Sequence, residues 1–160
     1  VLEHVSAESP VVTLQSNLTR RYGAPAQITP VVRVVGVRTF EWRRNGVPLL
    51  PNSRYQVASN GTLTIDSFRH SDVGDFSIAV ANECGITTSG ATALSGYFAC
   101  PGDINFDGFV DDADFVAFAG AYDALFAPPA NEFADLNSDW FVDDADFQTF
   151  ALRYNDLLCP

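Results

Sequence analysis

The sequence predicts two domains of different class, an all-β sandwich over residues 1–96 and a small all-α module over residues 97–160. Three observations carry this. Short runs of alternating apolar and polar residues, separated by turn residues, fill the N-terminal half. The last third repeats itself, because Asp103 to Asp114 (DINFDGFVDDAD) lies over Asp135 to Asp146 (DLNSDWFVDDAD) at an offset of 32 residues. Charge divides at the same place: residues 1–99 hold eight arginines against seven acids, whereas residues 100–160 hold Arg153 alone against thirteen acids.

The strands follow in order. Val11, Val12 and Leu14 predict the first. After a turn at Gly23 to Pro25, the series Ala26, Ile28, Pro30, Val32, Val34 alternates with one inward face. Phe40 and Trp42 alternate next, and Asn45-Gly46 is a hairpin signal. Leu63 and Ile65 point inward from GTLTI. Asp72, Gly74 and Phe76 lead into a strand that reaches Ala81, and a last strand is expected from about Gly85 to Leu94, with Ser95 and Gly96 as the linker. Short strands broken by turns at this spacing indicate a β-sandwich.

Trp42 inside a strand, followed by Asp72-x-Gly74-x-Phe76, resembles the core tryptophan and tyrosine-corner segment of an immunoglobulin-like domain, over about residues 10–95. In that resemblance the sheet-bridging cysteines fall at Val32 and Ile78 and the corner tyrosine at Phe76. It therefore implies a variant without the cysteine bridge, its tryptophan packed on aliphatic side chains. It also implies a structural ion pair between Arg54 and Asp72, of a kind that fixes geometry more than it adds stability.

In the C-terminal third, each copy places oxygen-bearing side chains at loop positions 1, 3, 5, 9 and 12: Asp103, Asn105, Asp107, Asp111 and Asp114, then Asp135, Asn137, Asp139, Asp143 and Asp146. A twelve-residue loop that wraps Ca²⁺ uses this spacing, with the carbonyl at position 7, here Phe109 and Phe141, as the remaining protein ligand. Two Ca²⁺ sites of EF-hand type are expected. Mg²⁺ demands a smaller, mostly hydrated octahedron, and neither loop has the His or Cys that a softer metal selects. Val110 and Val142, at position 8, are the apolar residues through which two such loops pair.

Beyond the loops, Phe115, Phe118, Ala119 and Tyr122, and likewise Phe147, Phe150, Ala151 and Tyr154, recur at helical steps. These two faces are expected to make the core. Gly108 supplies the positive φ that position 6 tends to need. Trp140 stands there in the second copy, where a Cβ costs about 1–2 kcal/mol, so the second site is expected to bind Ca²⁺ more weakly.

Cys100-Pro101-Gly102 before the first loop and Pro128-Pro129 before the second argue against a full helix entering either one. Loop then helix, written twice and joined by a proline-containing linker, resembles a type I dockerin module over about residues 100–160. The resemblance implies the fold and both Ca²⁺ sites; the positions through which dockerins contact cohesin fall at Asp112, Ala113, Ala119 and Gly120 and at Asp144, Ala145, Ala151 and Leu152. The Ser/Thr and Lys/Arg pairs typical of cellulosomal dockerins are absent from those positions.

Composition bounds the rest. A net charge of −11 excludes nucleic acid as a partner, because phosphate binding needs a basic surface. No apolar run approaches the 18 or so residues that span a bilayer, and nothing resembles a signal peptide. Lacking an initiator Met, the chain is expected to be a processed product or a piece of something longer. Cys100 and Cys159 bracket the repeats, and a disulfide between them is expected because a small module with two short helices needs a staple. Closing that loop adds roughly 4 kcal/mol in the chain-entropy model. The alternatives are free buried thiols, or pairing of Cys84 with Cys100 or with a second chain. The favoured pairing fits an oxidising, calcium-rich setting, extracellular or at the cell surface.

No enzyme is expected. Ser67, His70 and Asp72 sit too close in sequence to converge as a triad, and no nucleophile elbow or oxyanion motif accompanies them. Acids held as Ca²⁺ ligands make poor general acids for glycoside hydrolysis. Arg20-Arg21 and Arg43-Arg44 read as solvated strand ends, with an acidic neighbour as the alternative. Asn17-Leu18-Thr19 and Asn60-Gly61-Thr62 fit the glycan acceptor pattern, which makes Asn17 and Asn60 candidate modification sites. The expected role is a non-catalytic, secreted, calcium-binding structural or assembly module, a building block of an extracellular fibre or surface layer that meets further copies. The alternative is a C-terminal docking appendage of a larger secreted enzyme, bound to a cohesin-like receptor.

Overall fold

The computed structural model describes residues 8–36, 38–122 and 132–154. The chain forms two compact units: Val1–Arg20, Ala24–Ser67 and Val73–Ser95 make the first, and Arg21–Gly23, Phe68–Asp72 and Gly96–Pro160 the second.

The strands are β1 (Val11–Thr13), β2 (Leu18–Arg21), β3 (Ala26–Ile28), β4 (Val31–Arg33), β5 (Thr39–Arg44), β6 (Val47–Pro48), β7 (Tyr55–Val57), β8 (Leu63–Ile65), β9 (Gly74–Asn82), β10 (Gly85–Thr88) and β11 (Thr92–Tyr97). The larger sheet runs β2-β11-β9-β5-β6, with β10 also on β9; a second sheet runs β3-β8-β7, and β1 pairs with β4. The β9 strand is the spine of the larger sheet. Its alternate residues Phe76, Ile78 and Val80 are fully buried, and the β5 register sets Trp42 opposite Ile78. Trp42 itself is buried with Leu63 and Ile65 of β8, and its Nε1–H donates to the Gly61 carbonyl at 2.9 Å. Asn45 and Gly46, at φ 51° and 79°, turn β5 back into β6, with both turn residues on the left-handed side as a two-residue hairpin requires. The Asn45 Oδ1 also accepts the Asp75 N–H at 2.9 Å, tying the hairpin to β9.

Four expectations for this half need correction. The single alternating strand expected from Ala26 to Val34 is two strands in different pairings, β3 on β8 and β4 on β1. Pro30, which has no N–H for a ladder, stands between them. Val32 in β4 is consequently only half-buried, and the deeply placed residue there is Pro30. The last strand is likewise broken, into β10 and β11, because at Ser89 the hydroxyl and the backbone take over the pairing with Ile78. Ser95 and Gly96, expected as a linker, are paired residues inside β11, although the two compact units do meet in the chain between them, and the Ser95 hydroxyl bonds that of Thr19 at 3.0 Å.

The second unit carries helices α1 (Asp112–Tyr122) and α2 (Asp144–Tyr154), each starting directly behind an acidic loop. Both starts are capped identically. Asp111 Oδ1 accepts the Ala113 N–H at 2.9 Å and Asp114 Oδ2 accepts the Asp111 N–H at 3.1 Å; Asp143, Ala145 and Asp146 repeat this at 2.8 and 3.0 Å. The arrangement is a reciprocal cap in which an aspartate replaces the usual glutamate three residues on. Cys100, Val110, Phe118, Ala121, Ala134, Val142 and Phe150 make the core, with Ile104, Leu136, Tyr122 and Tyr154 packed against it. Phe118 stacks on Phe150 at 5.2 Å between ring centroids. No described helix is long and apolar enough to cross a membrane.

The expected core face of the helices holds at Phe118 and Phe150, which are buried, and at Tyr122 and Tyr154, which pack against the core, but not at Phe115, Phe147 and Ala119. Phe115 and Phe147 are 45% and 44% exposed, and Ala119 is exposed, whereas Asp114, Phe118 and Ala121 are buried. Asp114 must face its own loop to bond the backbone there, and residues four and seven further on share its side of the helix. Phe115 and Ala119, one residue beyond Asp114 and Phe118, therefore turn about 100° away. Tyr122 and Tyr154 also join the two helices. The Tyr122 hydroxyl donates to Asp144 Oδ1 at 2.6 Å, and the Tyr154 hydroxyl donates to Asp112 Oδ1. Each helix end is thus bonded to the other helix's start.

Candidate metal centre

Each acidic loop is curled by its own side chains. In the first, Asp103 Oδ1 accepts the Asp107 N–H at 3.0 Å and its Oδ2 the Gly108 N–H at 3.1 Å, while Asp114 Oδ1 accepts those of Ile104 and Asn105 at 2.7 and 3.1 Å. The second repeats the scheme: Asp135 accepts from Asp139 and Trp140 at 3.1 and 2.8 Å, and Asp146 from Leu136 and Asn137 at 2.7 and 3.0 Å. The curl needs left-handed backbone at two places per loop. Phe106 and Gly108 take φ 64° and 95°, and Ser138 and Trp140 take 66° and 73°.

The outcome is two trios of carboxylates, Asp103 with Asp107 and Asp114, and Asp135 with Asp139 and Asp146, each offering three oxygens within 4.8 Å of one another. Asp114, Asp135 and Asp146 are completely buried. A cation about 2.4 Å from each of several oxygens requires them to lie no more than about 5 Å apart, so the trios pass that geometric test. Their all-oxygen chemistry suits a hard divalent ion and no soft one. Burial pushes the Asp103 carboxyl above the ordinary range, opposed by the Gly108 N–H and reinforced by the charge of Asp114. Asp135 is raised in the same way, burial first, with the Trp140 and Asp139 N–H groups opposing and Asp146 adding.

The remaining expected ligands are not in the trios. Asp111 and Asp143 face the helix starts as caps. Asn105 and Asn137 each bond position 5, the amide nitrogen donating to Asp107 or Asp139 Oδ2 at 3.0 Å in both copies. Phe109 and Phe141 are tied through their N–H groups to Asp107 and Asp139 Oδ1 at 3.0 and 2.9 Å.

Around the second loop the sequence concealed more. Trp140 stacks on His70, ring centroids 4.5 Å apart and planes 18° from parallel. His70 Nδ1 lies 3.8 Å from Asp135 Oδ2 and makes no hydrogen bond among the described residues. Glu132, 1% exposed, accepts the Ser71 N–H at 2.8 Å and its hydroxyl at 3.2 Å, and lies 3.8 Å from Arg69. His70 is thus packed at the second loop, and Asp72 Oδ2 accepts the Arg69 N–H at 2.9 Å.

Elsewhere, Asn17 and Asn60 are both exposed, and Asn60 Oδ1 accepts the Thr62 N–H at 3.0 Å in a tight turn. Arg54 donates to the Ser67 carbonyl at 3.2 Å. Cys84 is free and exposed and Cys100 is buried. Cys159, His4, Pro128 and Pro129 lie outside the described residues.

The family description "Immunoglobulin I-set domain" matches residues 10–93. Contactin-5 of Rattus norvegicus is 45% identical over 47 residues, 29% of this chain and 4% of that protein, so the chain spans a small fraction of this curated relative. Titin M4 shares the fold at a TM-score of 0.51 with 21% identity, over 56% of this chain and 97% of its own. The titin tandem A164-A165 does so at 0.52 with 24% identity, over 57% of this chain and 49% of its own.

Proposed function

Because the chain belongs through residues 10–93 to the immunoglobulin I-set family, we propose that it is a non-catalytic extracellular or cell-surface protein in which an immunoglobulin-like domain, residues 1–96, precedes a dockerin-like module, residues 97–160, that binds two Ca²⁺. One observation carries the calcium reading: two carboxylate trios, each with two buried members and one exposed, their oxygens within 4.8 Å of one another. Two like charges 4 Å apart repel by about 4 kcal/mol at an effective dielectric of about 20, and a central divalent ion turns that repulsion into attraction. The ligands of the first site are Asp103, Asn105, Asp107, the Phe109 carbonyl, Asp111 and Asp114. Those of the second are Asp135, Asn137, Asp139, the Phe141 carbonyl, Asp143 and Asp146. Asn105 and Asn137 join once their amides turn to present oxygen. Calcium here acts on the fold, by holding loops on which both helices and the core depend. Titration calorimetry of the full chain should give two Ca²⁺ per chain and far weaker Mg²⁺ binding. Absence of Ca²⁺ uptake at millimolar concentration would refute it.

The module's work is contact with another protein, as a structural or assembly unit. Support comes from the exposed stripe: Phe115 and Phe147 flank a groove lined also by Phe118, Ala119, Tyr122 and Asp144, an apolar centre with an acidic margin. Concentration-dependent, Ca²⁺-sensitive oligomers in light scattering are expected, and a monomer at every concentration would count against self-assembly. A disulfide from Cys100 to Cys159 belongs to the same reading, with Cys84 as the exposed thiol. Thiol titration of the denatured, unreduced chain should find one reactive group; three would overturn the disulfide.

A further inference from the structure

The second acidic loop departs from the first at three positions, and at one of them, Trp140 in place of Gly108, the new side chain has a neighbour. Gly108 has open space where a side chain would start, whereas Trp140 at the matching position lies against the His70 ring at 4.5 Å. Three consecutive residues of the second unit engage this copy: Arg69 sits near Glu132 and over the Phe133 ring, His70 faces Asp135 and Trp140, and Ser71 holds Glu132 through both its N–H and its hydroxyl. Glu132 and Phe133 lead directly into Asp135, the first residue of the loop.

We propose that His70 is a positioning residue of the second cation site, its stack on Trp140 aiming Nδ1–H at Asp135 Oδ2 so that Asp135 is held in the orientation that receives Ca²⁺. This deepens the calcium reading above and rests on it. The contact is 3.8 Å, and Nδ1 is buried without a hydrogen bond among the described residues. Closing by about 0.6 Å makes an ordinary N–H···O bond. A carboxylate that ligates a metal is typically fixed by such an outer hydrogen bond, which also selects the imidazole tautomer. Asp135 already accepts the N–H groups of Asp139 on Oδ1 and of Trp140 on Oδ2, and that of Ser138 as well. All three donors belong to the loop and move with it. His70 contacts this carboxylate from outside the loop, so it fixes the loop's first ligand relative to the rest of the unit. Trp140, whose Cβ strains the second loop, is also what holds the imidazole in place.

The test is Ca²⁺ titration of the full chain carrying His70→Ala, His70→Phe or His70→Asn, with the sites separated by repeating each titration in an Asp103→Ala background that removes the first. His70→Phe keeps the stack and loses the nitrogen; His70→Asn restores a donor near the Nδ1 position. Second-site affinity should fall about 10- to 100-fold in the Ala and Phe variants, the usual effect of losing an outer-shell partner, and recover most of the way with Asn. First-site affinity should change less than about threefold. Equal weakening of both sites, an Asn variant as weak as Ala, or a Phe variant that binds like the parent would overturn the proposal. A parent chain that takes up no Ca²⁺ overturns the calcium reading itself, a result distinct from any of these.

Discussion

Asp114 serves both the loop backbone and the cation site, and replacing it in two ways separates these roles. Its carboxylate accepts three backbone N–H groups, from Ile104 at 2.7 Å and from Asn105 and Asp111 at 3.1 Å each, and it is one of the three clustered oxygens of the first site. A hydrogen bond to a charged acceptor contributes about 1.5–3 kcal/mol net. Taking the low end for all three, because loop N–H groups can find water once released, Asp114→Ala costs about 4.5 kcal/mol without any metal. A unit of this size has only about 3–9 kcal/mol in total. Asp114→Asn keeps the oxygen that serves Ile104 and Asn105, loses the bond from Asp111 and removes one of three crowded negative charges. It should cost about 1–2 kcal/mol in EDTA. In Ca²⁺ both variants lose the first site as well, adding about 4 kcal/mol at a thousandfold excess of ion over its dissociation constant. Calorimetric melting of the full chain in EDTA and in Ca²⁺ measures all four numbers. If Asp114→Ala and Asp114→Asn melt together in EDTA, the carboxylate is not what curls the loop and the reasoning fails.

Three further outcomes are expected. Chelation of the parent should lower the melting of the second unit by about 4 kcal/mol per site at the same excess and leave the sandwich transition in place, and a melting profile unchanged by EDTA contradicts the calcium reading. Tyr122 and Tyr154 have phenols raised above their ordinary value, chiefly by donating to Asp144 and Asp112. The folded state thus prefers the protonated phenol, a contribution complete below about pH 10 and lost as pH climbs through the raised values; Tyr122→Phe with Tyr154→Phe should flatten that alkaline loss, measured by melting at a series of pH values. Trp42→Phe strands the buried Gly61 carbonyl and leaves a gap, so it should cost the sandwich about 2–4 kcal/mol in a urea titration while Ca²⁺ uptake stays unchanged.

Legibility differs between the two halves for physical reasons. The carboxylate trios of the acidic loops can be read from the regular spacing of Asp103, Asp107 and Asp114 and of Asp135, Asp139 and Asp146, because a tightly curled loop brings residues so spaced together. The caps on α1 and α2 are hidden in the same letters, since Asp111 reads equally well as ligand and as cap. Hydrophobicity alone places Phe118 correctly but adds Phe115 and Ala119, because it lacks the constraint that Asp114 must face inward; that constraint keeps Phe118, brings in Ala121 and drops the other two. In the sandwich, β5, β8 and β9 follow plain alternation around Trp42, Leu63 and Phe76. The breaks at Pro30 and Ser89 are set by hydrogen bonds to partners far along the chain, which alternation does not record. His70 beside Trp140 is beyond any local reading, for 70 residues separate them and only the fold brings them together.

The crossed tyrosines change what the duplication amounts to. A doubled stretch ordinarily leaves a spare, free to wander in sequence while its twin keeps the job. Here the closing residue of one copy fastens the opening of the other and receives the same service in return. Neither half is a smaller version of the whole, and trimming either should undo both.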